Sequence, residues 1–188
     1  MKRIVLLVIA VVTSVALTAC GGDTSTDEGQ PSAGGGDHNA ADVTFAQAMI
    51  PHHRQAIEMA EMAGERASSP EVKALATRIQ EAQDPEITTM SEWLESWNEE
   101  VPSAGGHGAM DKGGMMSQHE MSQLMDAEGR AFDRMFLATM TKHHEGAIEM
   151  ARTEQAKGAF GPAKELAGKI IADQQAEIDE MGKLLAKL

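Results

Sequence analysis

Apolar residues return every three or four positions along 42–66. Phe45, Met49, Ala56, Ile57, Met59 and Ala60 share one side, and His52 and His53 share it with them. At 100° per residue these positions fall within an arc of about 160°, the width of a core-facing helical stripe, while Glu58 and Glu61 point away. The period recurs in 70–98 as Leu75, Ile79, Gln83, Glu86, Ile87, Met90, Trp93, Leu94 and Trp97. A third helix is predicted over 120–157, beginning with Met121, Met125, Phe132 and Met135. A fourth is predicted over 162–187, with Leu166, Ile170, Gln174, Glu177, Ile178, Met181 and Leu185 on its stripe. Ser69-Pro70 and Gly161-Pro162 open the second and fourth helices as proline does at a first helical turn, and Asp42 is placed to cap the first. Pro51 lies inside the first helix, where it removes one backbone bond and predicts a kink. No run alternates as a strand does, and aromatic residues make up only 3% of the chain.

The pattern is duplicated. Met49-Ile50-Pro51-His52-His53-Arg54-Gln55-Ala56-Ile57-Glu58-Met59-Ala60 returns 91 positions later as Met140-Thr141-Lys142-His143-His144-Glu145-Gly146-Ala147-Ile148-Glu149-Met150-Ala151. The register then holds without a gap to the end, so that residues 42–97 and 133–188 share 19 identities in 56 positions, too many for chance. Each copy is one helical hairpin with one apolar face. Two such hairpins closing face to face give an all-α fold, a four-helix bundle with a pseudo-two-fold axis.

Outside 42–188 the chain reads differently. Lys2 and Arg3 precede the apolar run Ile4–Val15, and Leu17-Thr18-Ala19-Cys20 fits a bacterial lipobox, so 1–19 is expected to be a lipoprotein signal peptide and Cys20 the lipidated N-terminus. With its only cysteine lipidated, the mature chain has no disulfide and depends on packing. Residues 20–41 are rich in Gly, Ser, Thr and Asp and are expected to form a flexible tether packed on nothing, with His38 incidental. Residues 101–119 form a Met-, His- and Gly-rich crossover between the hairpins. The mature chain carries 14 basic and 29 acidic side chains, a net charge of −15. That balance argues against nucleic acid, whose affinity rests on cationic contacts to phosphates, and favours cations.

The chemistry concentrates in the repeated motif. Two His-His pairs on facing hairpins bring four imidazoles towards one axis, which points to metal ligation. Gln83, Glu86, Gln174 and Glu177 interrupt apolar stripes and need buried partners, and the histidines are the economical ones, with these side chains as supporting acceptors or alternative ligands. Bundles that hold two hard metal ions use Glu-x-x-His. Here Met49 and Met140 stand three residues before His52 and His143, and Met59 and Met150 stand seven after them. Thioethers in place of carboxylates shift the preference to a soft ion, copper(I) first. The expected ligand groups are His52 with Met49 and Met59, and His143 with Met140 and Met150, each beside its neighbour His53 or His144. A secondary site is expected in the crossover from His107, Met110, Met115, Met116, His119 and Met121.

The duplicated Met-x-x-His-His-x-x-Ala-Ile-x-Met-Ala, followed by Ile-x-x-x-Gln-x-x-Glu-Ile-x-x-Met, resembles a family of secreted bacterial proteins known as a domain of unknown function (DUF), which includes CopM-type copper metallochaperones. The resemblance covers 42–188. It implies a ferritin-like four-helix fold and copper handling outside the cytoplasm through Met49, His52, His53, Met59, Met140, His143, His144 and Met150. Lys142 and Ala176 replace Pro51 and Pro85 in the second copy, which leaves the equivalence of the half-sites open. The expected function is a lipid-anchored, extracytoplasmic protein, not an enzyme, that buffers copper(I) as cargo or passes it to a copper-transport partner. The competing readings are a ferritin-like di-metal oxidase using Glu86, Glu177 and the histidines, and a structural module whose histidines only pack.

Overall fold

The computed structural model describes residues 37–103 and 113–188. The signal segment, Cys20, tether residues 21–36, and His107 and Met110 of the crossover lie outside the described residues. Five helices are described: α1 (Ala40–Arg66), α2 (Pro70–Ser96), α3 (Gln118–Asp126), α4 (Gly129–Lys157) and α5 (Gly161–Leu185). The fold is all-α, and the only β-type pairing among the described residues is an isolated bridge between Ala67 and Gly129. α1 and α2 form one antiparallel hairpin and α4 and α5 the other. The hairpins meet chiefly through α1 and α4, while α2 and α5 touch little. α1 stays continuous through Pro51, and α2 through Pro85.

Three sequence expectations are corrected. The helix predicted over 120–157 is two helices, broken at Ala127 and Glu128. Gly129 adopts φ 59°, a left-handed conformation that favours glycine, and turns the chain there. The break lets α3 bury Met121 and Leu124 against the core while its own Ser117–Glu120 capping box closes its first turn.

Asp42 is not the N-cap of α1. Asn39 is: its side chain accepts from the amides of Ala41 (2.7 Å) and Asp42 (3.3 Å), and Asp42 accepts from the Asn39 amide at 2.6 Å. The tether also docks at its end. His38 stacks on Trp97 with ring centroids 4.3 Å apart, and the Asn39 amide nitrogen Nδ2 donates to the Lys157 carbonyl at 2.9 Å. A planar imidazole over a large indole face, next to a helix cap, is enough to hold residues 38–39 in place.

Asp42 and Asp133 join the hairpins. Asp42 accepts from the amides of Ala159 and Phe160 at 3.1 and 3.0 Å, at the start of α5. Asp133 accepts from the amides of Ser68 and Ser69 at 3.0 and 3.1 Å, and from the Ser68 hydroxyl, at the start of α2. The acids lie 91 positions apart, and so do the amides they hold. Each buried carboxylate satisfies donors that a helix start leaves orphaned, and does so from the opposite hairpin. This sets α1 and α4 antiparallel and fixes their register. Apolar packing then fills two clusters. One contains Met59, Leu75, Ile79, Leu124, Phe132, Phe136 and Met140, and the other Phe45, Met49, Ile50, Met90, Leu94, Trp97 and Ile170.

The two clamps differ in one respect. Beside Asp42 lies the buried carboxyl of Glu154, at the repeat position of Ala63, and neither of its oxygens finds a protein donor. Burial, with the hydrogen bond and charge of Asp42, pushes Glu154 up from 4.5 to about 8. Burial also raises Asp42, but bonds from Glu154, Asn39, Phe160 and Ala159 outweigh it and leave Asp42 low. A protonated Glu154 donates to ionised Asp42, which leaves its other oxygen without a donor.

Asp133→Ala strands the Ser68 and Ser69 amides and is expected to cost about 2–3 kcal/mol of unfolding free energy in urea titration. A change within about 0.5 kcal/mol, the size of an ordinary surface substitution, excludes the clamp. Glu154 sets a pH dependence. Between 4.5 and about 8 the folded chain keeps a proton that the unfolded chain has released. Its contribution is therefore complete below 4.5 and is lost as pH rises through the folded value, so stability declines across that window. Glu154→Gln, which donates without titrating, is expected to flatten this decline in melting temperatures recorded from pH 4 to 9.

Candidate metal centre

The repeated His-His pairs face each other across the middle of α1 and α4. All four histidines are buried. The His52 and His143 rings are in contact, with centroids 3.7 Å apart and planes tilted by 40°. The Asp42 and Asp133 clamps account for this: an antiparallel register fixed at both ends brings equivalent residues together near its midpoint at Gln55 and Gly146, and the histidines stand within one turn of it.

Each outer histidine is held from its own hairpin. His53 Nε2 lies 2.8 Å from Glu86 Oε2, and His144 Nε2 lies 2.6 Å from Glu177 Oε2. A carboxylate only accepts, so Nε2 carries the proton in both bonds, and the Nδ1 atoms of His53 and His144 are buried without a partner. His52 Nε2 donates to the Gly113 carbonyl at 2.7 Å, which leaves its Nδ1 unpartnered. His143 has no partner on either nitrogen. Burial pushes His52 down to about 3, the Gly113 bond partly offsetting it and the charges of His53 and His144 adding to it. Burial likewise holds His143 well below the usual histidine range, with the neighbouring imidazoles adding to it. Both rings are neutral at physiological pH and offer lone pairs rather than positive charge.

The half-sites are not equivalent. Lys169 donates to Glu86 at 3.0 Å, whereas Arg78, its repeat counterpart, reaches Glu180 at 2.6 Å and not Glu177. Burial raises Glu86, but the bonds and charges of His53 and Lys169 outweigh it and keep the carboxyl low. The larger asymmetry is a strap. Gly113 and Gly114, at φ 82° and 79°, lie directly on α4, where a Cβ at Gly146 would overlap the Gly113 carbonyl oxygen. Gln55, the repeat counterpart of Gly146, holds the other end: its side chain donates to the Met116 carbonyl at 2.9 Å and accepts from the Met116 amide at 2.7 Å. The two residues that break the repeat at this position both serve the strap, and the strap covers His52.

Met49, Met59 and Met140 are fully buried. Met150 is half-buried beside the strap, where a Cβ added at Gly113 would meet its sulfur at 3.6 Å. Their grouping differs from the sequence expectation. Met59 and Met140 share one apolar cluster, and Met49 belongs to the other with Met150 packed on it. Because α1 and α4 run antiparallel, each flank of the histidine layer receives one methionine from each hairpin.

Gln83 and Gln174 are buried, but neither bonds a histidine, and both polar atoms of Gln83 are unpartnered. Glu86 and Glu177, one turn further on, are the acceptors. In the crossover, Met116 and Met121 are buried in the core, Met115 is half-buried and His119 is exposed. Sequence reasoning missed Gln55, Gly113, Gly114 and Gly146. A glycine inside a predicted helix, where the other copy has glutamine, was the available signal. Among the described residues no group of three or more His, Cys, Asp or Glu side chains is placed to hold an ion. The arrangement supplies neutral nitrogen donors flanked by thioethers, a set suited to a soft ion rather than to hard oxygen-ligated ones.

The sequence pattern of the domain of unknown function DUF305 matches residues 42–185. No curated protein matches the chain. Among solved structures, a DUF305 protein from Streptomyces coelicolor is 32% identical, with a TM-score of 0.72 over 78% of this chain and 93% of its own. A DUF305 fragment from Deinococcus radiodurans is 29% identical, with a TM-score of 0.73 over 80% of this chain and 98% of its own. CopM in its Cu(II)-bound form is 35% identical, with a TM-score of 0.67 over 78% of this chain and 96% of its own, and its Cu(I)- and Ag-bound forms match as well. With the repeat, the helical hairpins and the paired histidines all inside the matched span, the chain belongs to the DUF305 family.

Proposed function

We propose that this chain binds copper outside the cytoplasm, holding copper(I) as cargo in the layer formed by His52, His53, His143 and His144 with Met49, Met59, Met140 and Met150, and that it buffers the ion or passes it to a transport partner. The observation that carries the reading is the contact of two neutral, buried imidazoles, His52 and His143, with three ring nitrogens lacking any partner. A buried polar atom without a partner costs about 1–3 kcal/mol, and a bound ion would recover that cost. The solved copper- and silver-bound forms of CopM support the same assignment.

Each part of the chain has a task in this reading. Glu86 and Glu177 fix the ring orientation and the tautomer of His53 and His144, so that Nδ1 faces inward with its lone pair. The thioethers add neutral donors that favour a monovalent soft ion over zinc or nickel. The strap shields the layer from water on the His52 side. The N-terminal segment delivers the chain across the membrane, and a lipid on Cys20 holds it there through the tether. Among the described residues no helix is long and apolar enough to cross a membrane.

A copper(I) competition assay tests the centre. Replacing Met49, Met59, Met140 and Met150 together by leucine conserves volume and costs less than about 1.5 kcal/mol per site. Copper(I) affinity is expected to fall far more than zinc or nickel affinity. Equal losses for all three ions, or no loss for copper(I), remove the assignment. An ion that binds only the folded state at a hundredfold excess over its dissociation constant stabilises it by about 2.7 kcal/mol, so copper(I) is expected to raise the melting temperature of the parent and not of the variant. The anchor is tested separately. Cys20→Ser is expected to move the protein from the membrane fraction to the soluble extracytoplasmic fraction, and unchanged membrane association excludes lipidation at Cys20.

A further inference from the structure

A pocket of about 220 Å³, partly open to solvent, lies between α1 and α3, and none of the four core histidines lines it. Gln118, Met121, Ser122 and Met125 line its α3 wall, and this i, i+3, i+4, i+7 spacing presents one continuous helix face. Gln55 and Glu58 supply the α1 wall, and Met116 of the strap completes the lining. Three of the seven lining side chains are thus thioethers, and one is an acid.

Their placement is constrained rather than incidental. The double hydrogen bond from Gln55 fixes the Met116 backbone, and the Ser117–Glu120 capping box fixes the first turn of α3 directly after it. Met121 and Met125 stand one turn apart, with Cβ atoms about 5–6 Å from each other. Met116 and Met121 are 4% and 8% exposed, whereas Met125 is 49% exposed, one of only two large apolar side chains left open among the described residues. The pocket is thus lined by two buried methionines and one open to solvent, with the Glu58 carboxylate as the only formal charge on its wall.

We propose that this pocket is a second binding site, separate from the four-histidine centre, for one soft monovalent metal ion such as copper(I) or silver(I), with Met116, Met121 and Met125 as its donors. A thioether carries no proton and no charge, so a cup of three discriminates against hard cations and against zinc while remaining able to hold a monovalent ion at any physiological pH. Glu58 supplies the attraction that draws a cation to the rim. The site differs from the crossover group expected from sequence: Met125 joins it, while exposed His119 and half-buried Met115 do not line it.

Silver(I) titration of the full chain labelled with ¹³C-methyl methionine tests the site, since each methionine methyl reports on its own sulfur. The titration is run in the parent and in a His52→Leu, His143→Leu chain, with far-UV circular dichroism confirming the fold. Silver(I) is expected to shift the methyl resonances of Met116, Met121 and Met125 together, with one equivalent in the His52→Leu, His143→Leu chain and by the second equivalent in the parent, and zinc is expected to leave them in place. Met125→Leu, at a position already half open to solvent, should preserve the fold and weaken silver(I) binding at the pocket by about tenfold, equivalent to about 1.4 kcal/mol. Unmoved pocket methyls, an equal response to zinc, or unchanged affinity in Met125→Leu overturns the proposal. Failure of the central reading looks different: the methyls of Met49 and Met140 then stay in place while those of the pocket still move.

Discussion

Two buried carboxylates govern this structure. Asp42 and Asp133 each leave their own hairpin to accept the orphaned amides at the turn of the other. Apolar stripes alone would let α1 and α4 slide past each other by a turn with little change in buried area. Directed hydrogen bonds at both ends do not allow it. With both ends pinned, the midpoints near Gln55 and Gly146 must coincide, and the histidine pairs lie within one turn of them. The contact of His52 with His143 is therefore set by groups at either end of the helix pair.

That contact is destabilising for a protein that only packs. Burying imidazoles and leaving five of their nitrogens unpartnered gives up stability that leucine or phenylalanine would keep. That residues are placed against the interest of stability, and held there by Glu86, Glu177 and a backbone carbonyl, is what supports the proposed binding role. The methionines fit the same logic. They fill space as core side chains do and add a donor without adding a charge that would need neutralising.

Duplication made the framework, and departures from it made its two halves unequal. Gly146 and Gln55 are repeat counterparts, yet one admits the strap and the other grips it. Lys169 ties Glu86 to α5, while Arg78 reaches past Glu177 to Glu180. Glu154 adds an acid beside Asp42 where the other half has Ala63. A symmetric bundle would present two identical faces to an ion. This one bonds a backbone carbonyl to His52 and gives His143 no partner, although both rings are equally buried.

The helices, their stripes, the hairpins and the four histidines were legible in the sequence because each depends on local periodicity or on the 91-residue repeat. The division of the predicted third helix was not, because the left-handed turn at Gly129 is stabilised by docking against Ala67 at the end of α1. Nor was the role of Asp42, since a carboxylate at a helix start looks like a cap until the other hairpin supplies the amides it holds. The glutamines Gln83 and Gln174 and the glutamates one turn further on share a stripe, and only packing chose Glu86 and Glu177 as histidine partners. The methionines show the division most plainly. Their spacing from each histidine fixed which helix face they occupy. The antiparallel crossing of α1 and α4 then decided their neighbours, because reversing one helix against the other places Met59 beside Met140 and leaves Met49 and Met150 on the opposite flank.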